Sequence, residues 1–254
     1  MASNKPAILI TGAAKRIGAV LARGFAAAGW HVVIHHGFSP DDAAALAADL
    51  PSAEVVQCDL ADGAAAEAMI ERLAAELPDW RMLVNNAAVF HKDSALQLDH
   101  TVFTEAMAIN AEAPARMAQA FLRLAQSKGG RRVIHTLDMK IANPNPDFFS
   151  YTMSKHALAA TVRTLAMVAS DPADRVYGLA PGAIMASHDQ LPEEHLSSGR
   201  LNLLGRITQP QELAEAALWL SQGWLDSGET LFIDSGQHLM TQPRDVLFLA
   251  RGLT

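Results

Sequence analysis

The sequence predicts a single α/β domain in which helices flank a doubly wound parallel sheet of about seven strands. Short β-branched runs alternate with longer segments of helical periodicity along the chain. No repeat, low-complexity linker or long charge run divides the 254 residues, a length that one α/β domain accounts for. Hydrophobic residues make up 50% of the chain and charged residues 19%, so it can bury a large core. We therefore expect residues 1–254 to form one domain.

Seven short apolar or β-branched segments predict the strands. In chain order they are residues 7–11, 31–36, 54–57, 81–85, 132–136, 175–180 and 230–233. The helical spacing of Leu21 and Phe25 predicts the first helix, and Gly29 stands where a helix C-terminal glycine is expected. Ser39, as a candidate N-cap, and Pro40 mark the start of the second helix. Further helices are predicted at residues 63–77, 100–127, 151–170 and 210–221.

The charge and the cysteine content argue against several classes of protein. The formal net charge of −7 argues against a nucleic-acid partner, whose phosphates need clustered Lys and Arg. Cys58 is the only cysteine, so no intrachain disulfide and no cysteine-built zinc site can form, which suits a reducing cytoplasm. The apolar run 7–10 is too short for a signal peptide, and no uninterrupted apolar stretch reaches the roughly 18 residues of a membrane span. We therefore expect a cytoplasmic protein without a membrane or nucleic-acid partner.

The first predicted strand runs into residues 11–18 (TGAAKRIG) and then into a helix. A bound pyrophosphate needs glycines where the backbone turns tightly, and helix amides that point at the phosphates. Gly12 and Gly18 meet this need, whereas Arg16 stands where a central glycine is expected. The segment predicts a dinucleotide site at the carboxyl end of the first strand, although an ordinary strand–turn–helix junction stays open on this motif alone.

The end of the second strand bears on which dinucleotide binds. Enzymes that prefer NAD usually carry an acidic residue there, which bonds the ribose hydroxyls. Residues 34–39 (IHHGFS) contain no acid, and Lys15 and Arg16 place two positive charges near the expected adenosine 2′-phosphate. We therefore predict NADP(H) rather than NAD(H), with Ser39 and His36 as further phosphate ligands, although Ser39 could serve only as a helix cap. No carboxylate cluster accompanies the strand histidines, so no metal site is expected.

Tyr151 and Lys155 stand four residues apart at the start of a predicted helix, so their side chains share one helix face. A phenol with a pKa near ~10 is a poor acid, and a nearby ammonium group lowers that pKa. Tyr151 is therefore a candidate proton donor or acceptor, with Lys155 as its electrostatic partner. The same spacing is common on ordinary helices, so it does not decide the function alone.

Taken together, the motifs resemble those of the short-chain dehydrogenase/reductase family, over essentially the whole chain. Residues 11–18 resemble its cofactor loop, and Asp59 resembles the aspartate that contacts the adenine ring. Residues 85–87 (NNA) resemble its Asn-Asn-Ala-Gly element without the glycine. Asn110 resembles the asparagine of the catalytic tetrad, and residues 181–182 (PG) resemble the pair that borders the nicotinamide. The resemblance implies a single-domain Rossmann-type fold.

Asp138 stands where the family carries its catalytic serine, thirteen residues before Tyr151. A serine hydroxyl would hydrogen-bond a carbonyl substrate, whereas an ionised aspartate would repel the developing oxyanion. Either the protein has lost its enzymatic activity or its substrate is one that a carboxylate can bind. An amidine-like heterocycle suits one, because it offers N–H donors and a ring nitrogen that must be protonated as hydride arrives.

Arg16, Asp138 and Phe90 together resemble the pteridine reductase branch of the family, to which the dihydromonapterin reductases are related. In that branch an aromatic residue at the Phe90 position stacks the pterin on the nicotinamide, and flat heterocycles gain from such stacking. Ordinary loop packing is the other reading of Phe90. Two features depart from the branch, because residues 88–89 (AV) lack its serine and Phe38 replaces its basic residue.

The motifs and the resemblance together assign the site. The predicted cofactor residues are Gly12, Lys15, Arg16, Ile17, Gly18, His36, Ser39, Asp59, Leu60, Asn86, Ala87, Tyr151, Lys155, Pro181, Gly182 and Ile184. The predicted catalytic residues are Asn110, Asp138, Tyr151 and Lys155, and the predicted substrate residues are Phe90, Asp138 and Tyr151. The resemblance implies that Lys155 binds the nicotinamide ribose and that Asn110 holds a water linking Lys155 to solvent.

The sequence therefore predicts an NADPH-dependent oxidoreductase that transfers hydride to a pterin-like C=N bond. Two alternatives stay open: an NADPH-dependent reductase of ketones or 3-oxoacyl groups, and a non-catalytic NADP-sensing module. Residues 183–200 predict a mobile lid over the substrate, and residues 237–253 would close either the pocket or a subunit interface. The family resemblance implies a homotetramer formed through the two long helices, predicted at 100–127 and 151–170.

Overall fold

Residues 5–187 and 190–253 are described by the computed structural model, and they confirm the predicted fold class. The strands are β1 (Ala7–Ile10), β2 (His31–His36), β3 (Ala53–Gln57), β4 (Trp80–Asn85), β5 (Arg132–Thr136), β6 (Arg175–Pro181) and β7 (Thr230–Ile233). They pair in parallel in the order β3-β2-β1-β4-β5-β6-β7. The strand order reverses between β1 and β4, and in such sheets the ligand lies outside the carboxyl ends of the strands at that point.

Helices cover both faces of the sheet. They are α1 (Arg16–Ala27), α2 (Pro40–Asp49), α3 (Gly63–Glu76), α4 (His100–Met107), α5 (Ala113–Leu124), α6 (Phe149–Val168), α7 (Pro192–Ser198), α8 (Pro210–Ser221) and α9 (Val246–Ala250). Alternate residues of a strand pack in two different cores, one on each face of the sheet. Leu9 packs in the core with α3, α5 and α6, whereas Ile8 and Ile10 pack in the core with α1, α2 and α8. Because β1 is buried on both faces of the sheet, its sequence (AILI) is a continuous apolar run.

The prediction of one helix over residues 100–127 is wrong. A π-helical turn at Ala108–Glu112 separates α4 from α5. Asn110 in this turn is fully buried, and its side-chain amide bonds both the amide and the carbonyl oxygen of Val89. A widened turn of this kind inserts one extra residue into the helix, and here it aims the Asn110 side chain at a neighbouring loop.

Two predicted helix signals have different outcomes. Gly29 follows the end of α1 with a left-handed φ of 87°, as expected for a glycine that ends a helix. Ser39 precedes Pro40 at the start of α2, but its side chain makes no capping hydrogen bond. Ser39 therefore occupies the N-cap position without a side-chain cap, and its role as a phosphate ligand stays a prediction.

The described helices and side chains lack two features. Over residues 5–187 and 190–253, no helix combines the length and the apolar character that crossing a membrane requires. Within the same residues, no group of three or more His, Cys, Asp or Glu side chains could hold a metal ion.

Candidate active site

A cavity of about 670 Å³ opens at the carboxyl ends of β1, β4, β5 and β6. Phe90, Asp138, Tyr151 and Lys155, all predicted to bind substrate or to act in catalysis, line it together. A second cavity, of about 350 Å³, lies at the amino end of β1 near Pro51 and contains none of the predicted site residues. The larger cavity, named the active-site cavity below, is therefore the candidate site.

The turn after β1 is built around glycine conformations. Gly12 takes a φ of 62°, and a methyl group at Gly18 would overlap the Gly12 carbonyl oxygen and lie 2.8 Å from the Ala13 Cα. Arg16, at the central position, also takes a left-handed φ of 54°. The backbone is thus that of a glycine-rich phosphate loop in which an arginine occupies one left-handed position. With the N-terminus of α1 beside it, the turn fits a pyrophosphate group.

The ring of His35 holds this turn in place. Its Nδ1 accepts the Gly12 amide at 3.2 Å, and its Nε2 donates to the Cys58 carbonyl oxygen at 3.0 Å. Burial lowers the pKa of His35 to about 4, so the ring is neutral at neutral pH and Nδ1 stays an acceptor. The sequence marks His35 only as a strand residue, because each partner lies 23 positions away.

The carboxyl end of β2 offers polar groups to the adenosine half of a dinucleotide. Lys15 reaches toward α2, where its Nζ lies 2.9 Å from Asp42 Oδ2. Ser39 stands directly before α2. His36 ends β2, and its buried Nδ1 has no hydrogen-bond partner among the described residues. Buried polar atoms are nearly always paired, so this one indicates a missing ligand or water at the same edge.

Arg16 lies in a different place from Lys15. Its Nη2 donates to the Ala186 carbonyl oxygen at 2.8 Å, and the side chain lines the active-site cavity. Ala186 belongs to the predicted lid, 183–200, of which residues 188–189 lie outside the described residues. The structure thus separates the two cations that the sequence placed together, with Lys15 beside α2 and Arg16 against the lid segment.

The other predicted cofactor residues follow the same edge of the sheet. They are Ile17, Asp59, Leu60, Asn86, Ala87, Pro181, Gly182 and Ile184. The amides of Asn86 and Ala87 both donate to Thr11 Oγ1, at 2.9 and 3.0 Å, and so tie the end of β4 to the end of β1. A methyl group at Gly182 would lie 2.6 Å from Gln237 Oε1, so no larger residue fits there without a shift.

Tyr151 and Asp138 form a hydrogen-bonded pair in the cavity. The Tyr151 hydroxyl donates to Asp138 Oδ2 at 2.8 Å, from the first turn of α6 to the loop after β5. Withdrawal from bulk water raises the pKa of the Asp138 carboxyl. Burial and the charge of Asp138 raise the pKa of Tyr151 well above its ordinary value. The phenol is therefore protonated at neutral pH and can donate a proton.

Lys155 lies next to this pair but bonds the main chain. Its Nζ donates to the Thr136 carbonyl oxygen at 2.6 Å and lies 5.6 Å from the centroid of the Tyr151 ring. Burial lowers the pKa of Lys155 to about 8. The expectation of a lowered pKa for the Tyr151 phenol is wrong, because burial and the charge of Asp138 raise that pKa.

Asn110 supports the loop after β4. Its Oδ1 accepts the Val89 amide at 2.8 Å, and its Nδ2 donates to the Val89 carbonyl oxygen and to Ser154 Oγ, both at 3.0 Å. These bonds fix the residue next to Phe90 against α6. The water-holding role of Asn110 stays a prediction.

Phe90 presents an aromatic surface to the cavity. Its ring stacks on Phe148 with centroids 4.0 Å apart, and it meets the Tyr151 ring edge-on at 4.7 Å. Phe90 remains 38% exposed, so the ring is held on two sides and keeps surface open for a ligand. A flat heterocycle could pack on that surface beside the Tyr151–Asp138 pair.

A family model described as enoyl-(acyl carrier protein) reductase matches residues 12–238. This span includes the phosphate turn, Asp138, Tyr151 and Lys155. The chain belongs to the short-chain dehydrogenase/reductase family. It is accordingly an oxidoreductase of that family.

The relatives of this short-chain dehydrogenase/reductase match it over nearly their whole length. Their names state different activities. The putative ketoacyl reductase 2 of the granaticin polyketide synthase from Streptomyces violaceoruber is 28% identical, covering 94% of this chain and 98% of that protein. Pteridine reductase 1 of Leishmania tarentolae is 26% identical, covering 92% and 96%. The crystal structure of FolM alternative dihydrofolate reductase 1 from Brucella canis, complexed with NADP, is 29% identical with a TM-score of 0.86, covering 96% and 98%.

The C-terminal residues of this short-chain dehydrogenase/reductase reach the site. The sequence left open whether residues 237–253 close the pocket or a subunit interface, and residues 245–248 line the active-site cavity. Arg251 Nε and Nη2 donate to the carboxylate of Glu194 in α7, at 2.9 and 3.0 Å. Residues 244–253, named the C-terminal segment below, therefore connect the lining of the active-site cavity with α7, which lies in the predicted lid.

Two cavity residues, Lys140 and Phe148, had no predicted role, whereas Phe248 lies in residues 237–253, which were expected to close the pocket or a subunit interface. Lys140 follows Asp138, Phe148 precedes α6 with a left-handed φ of 53°, and Phe248 stacks on Phe148 with centroids 5.8 Å apart. A left-handed conformation is costly for a bulky residue and is found mostly at functional sites. No local pattern signals these residues, because their contacts join segments far apart in the chain.

Proposed function

We propose that this protein is an NADPH-dependent reductase that transfers hydride to a C=N bond of a pterin-like heterocycle. The observation that carries the proposal is the Asp138 carboxyl group, which accepts the Tyr151 hydroxyl at 2.8 Å where the family's serine is expected. The names of two relatives, a pteridine reductase and an alternative dihydrofolate reductase, support it.

The cofactor in this proposal is NADP(H), which supplies the hydride. The turn at 12–18 would hold its pyrophosphate, and Lys15, Ser39 and His36 would surround the 2′-phosphate. Residues 181–184 would border the nicotinamide, and Lys155 would bind its ribose. The similar structure from Brucella canis was crystallised with NADP, which supports this choice.

Asp138 and Tyr151 divide the work on the substrate. Asp138 Oδ1 accepts the Lys140 amide at 2.9 Å and Oδ2 accepts the Tyr151 hydroxyl, and each oxygen of a carboxylate has a second lone pair. Asp138 can therefore also accept an N–H of an amidine-like ring and orient it. Tyr151, protonated at neutral pH, donates its proton to the ring nitrogen, and positioning of the two reactants supplies most of the remaining rate.

Phe90 would hold the heterocycle by its face. The ring is fixed by Phe148 on one side and by the edge contact with Tyr151, so a substrate stacked on it lies next to the proton donor. A fixed aromatic surface costs little conformational entropy on binding, which favours flat substrates over flexible ones.

The similarity to a ketoacyl reductase favours a second candidate, reduction of a ketone or 3-oxoacyl group. A panel of dihydropterins, quinonoid dihydropterins, ketones and 3-oxoacyl thioesters, each mixed with NADPH and the purified protein, separates the candidates. We expect NADPH oxidation with dihydropterins. Oxidation with ketones alone would replace the proposal by the second candidate. No turnover with any compound, together with tight NADPH binding, would leave a non-catalytic NADP-sensing module.

Lys15→Met is expected to raise the Kd of NADPH about tenfold and to leave the Kd of NADH within about twofold. Only NADPH carries the 2′-phosphate that the Lys15 ammonium group would contact. Arg16→Met is the matched control, since its guanidinium group bonds Ala186 rather than the region of α2. Isothermal titration calorimetry of the parent and both variants with each nucleotide measures the six constants. Equal weakening of NADPH and NADH by Lys15→Met would contradict the assignment.

Two further expectations stay predictions: a cytoplasmic location and a homotetramer. Sedimentation of the purified protein with and without NADPH measures the second. A monomer over the full concentration range would contradict it.

A further inference from the structure

An ion pair that the proposed mechanism does not use lies beside the catalytic pair. Lys140 Nζ lies 2.7 Å from Asp245 Oδ2, and both side chains are largely buried. Lys140 Nζ also donates to Asn145 Oδ1 at 2.8 Å, and all three residues line the active-site cavity. Removing two charges from water costs about as much as their attraction returns, so stability alone gives a weak reason for such a pair.

The Lys140–Asp245 ion pair joins the loop after β5, which carries Asp138, to the C-terminal segment. Lys140 stands two residues after Asp138, and its amide donates to Asp138 Oδ1 at 2.9 Å. Asp245 precedes α9, where its Oδ1 accepts the Leu247 amide at 3.0 Å. The Lys140 ammonium group, whose charge acts on Asp138, is thus held by a residue more than 100 positions away in the chain.

A second ion pair anchors the same segment without bordering the catalytic pair. Arg244 Nε lies 2.8 Å from Asp147 Oδ2, and the Asp245 amide donates to the same oxygen at 2.8 Å. The Arg244 guanidinium group also lies over the Phe248 ring, 4.9 Å from its centroid. Arg244 thus docks the C-terminal segment but is not among the groups that act on the pKa of Asp138.

Few charged or titratable groups face Asp138. From its own loop there is Lys140, from α6 there are Tyr151 and Lys155, and from the C-terminal segment there is Asp245, whose charge acts on Tyr151. Arg16, His91 and Lys92 line other walls of the same cavity. Among these groups, Lys140 has the largest charge effect on Asp138.

We propose that Lys140 and Asp245 are positioning residues for proton transfer, in which the Lys140 ammonium group sets the charge beside Asp138 and Asp245 holds and offsets that ammonium group. The inference rests on the proposed role of Asp138 and Tyr151 in protonating the substrate. It gives the C-terminal segment a part in catalysis beyond covering the cavity.

The two halves of the pair act on Asp138 in opposite directions. Withdrawal from water raises the pKa of Asp138, whereas the charge of Lys140 lowers it. Lys140→Met removes the positive charge, so the pKa of Asp138 should rise and the protonated carboxyl group should persist to higher pH. Asp245→Asn leaves the ammonium group without its counter-charge, so the pKa of Asp138 should fall.

Infrared difference titration of the protein without cofactor or substrate tests this directly. The C=O band of the protonated Asp138 carboxyl group is assigned by its loss in Asp138→Asn. We expect the midpoint of this band to move upward by about one pH unit in Lys140→Met and downward by about one unit in Asp245→Asn. Lys140→Arg keeps the charge and should keep the midpoint near that of the parent. Arg244→Met is the matched control, because it loosens the segment at a residue that is not among the groups acting on Asp138.

The pH profile of kcat with the best substrate from the panel should shift with the same signs. Shifts of the same sign in Lys140→Met and Asp245→Asn would overturn the proposal. A shift in Arg244→Met as large as that in Asp245→Asn would also overturn it and assign the effect to docking alone. If Lys140→Met does not fold, the remaining two variants still test the proposal, because Asp245→Asn should lower the midpoint and Lys140→Arg should leave it near that of the parent. Because the infrared titration needs no turnover, it can support the pair even if no pterin is reduced.

Discussion

Tyr151→Phe is expected to reduce kcat by about 10²- to 10⁴-fold while the Kd of NADPH changes by less than about twofold. The substitution removes only the hydroxyl that donates to Asp138 Oδ2. The ring still meets Phe90 edge-on, so the shape of the cavity is kept. The variant therefore loses the proton donor and keeps the cofactor site.

Stopped-flow kinetics and calorimetric titration of NADPH measure the two quantities for this variant. The chain has two tyrosines, and Tyr177→Phe is the matched control. The Tyr177 hydroxyl donates to the Leu225 carbonyl oxygen at 2.7 Å, away from the cavity lining, so its removal should leave kcat unchanged. Loss of NADPH binding in Tyr151→Phe would contradict the role assigned to the phenol. A kcat close to that of the parent would do the same.

Asp138→Ser is expected to reduce kcat/KM for dihydropterins by about 10²- to 10⁴-fold and to raise it for simple ketones. A serine hydroxyl can donate to a carbonyl oxygen, but it cannot offer the two acceptor oxygens that a carboxylate presents to amidine N–H groups. It also removes the negative charge that opposes a developing oxyanion. The substitution should thus exchange one substrate class for the other.

Parallel assays of both substrate classes with NADPH measure this exchange. Asp138→Asn separates charge from shape, because the amide has nearly the size of the carboxyl group yet offers one acceptor oxygen. It should lose activity on dihydropterins without gaining activity on ketones. An unchanged preference in Asp138→Ser would show that other residues select the substrate, and would remove the observation on which the proposed function rests.

The sequence predicted the parts of the molecule that depend on local pattern. Strand β1 (AILI) is a continuous apolar run because both faces of the sheet are covered, and such a run is visible without a structure. Gly12 and Gly18 are required by a tight turn, so their spacing marks the phosphate turn. Asp138 was identified by its position thirteen residues before Tyr151 in the sequence, and the structure places the two side chains in contact.

Other parts depend on contacts between distant segments. The π-helical turn at Ala108–Glu112 is set by the bonds of Asn110 to the loop after β4, and helical periodicity alone does not predict such an interruption. The direction of Arg16 is set by a carbonyl oxygen 170 residues away. The C-terminal segment shows no motif, and its place in the cavity follows from contacts with distant segments, among them the ion pairs with Lys140 and Asp147.

The histidine that holds the phosphate turn also sets a limit on acid tolerance. The pKa of His35 falls from its ordinary value of 6.5 to about 4 in the folded protein, so the unfolded chain takes up this proton first as the pH drops. The free energy of unfolding should therefore decrease between about pH 6.5 and about pH 4, by about 3 kcal/mol from this residue. Burial lowers the pKa of His135 to about 3, which adds to the loss in the same direction. Urea unfolding at a series of pH values measures the slope, and a flat profile over that range would contradict it. Mild acid should thus release the nucleotide and unfold the protein together, since one imidazole serves both the binding turn and the core.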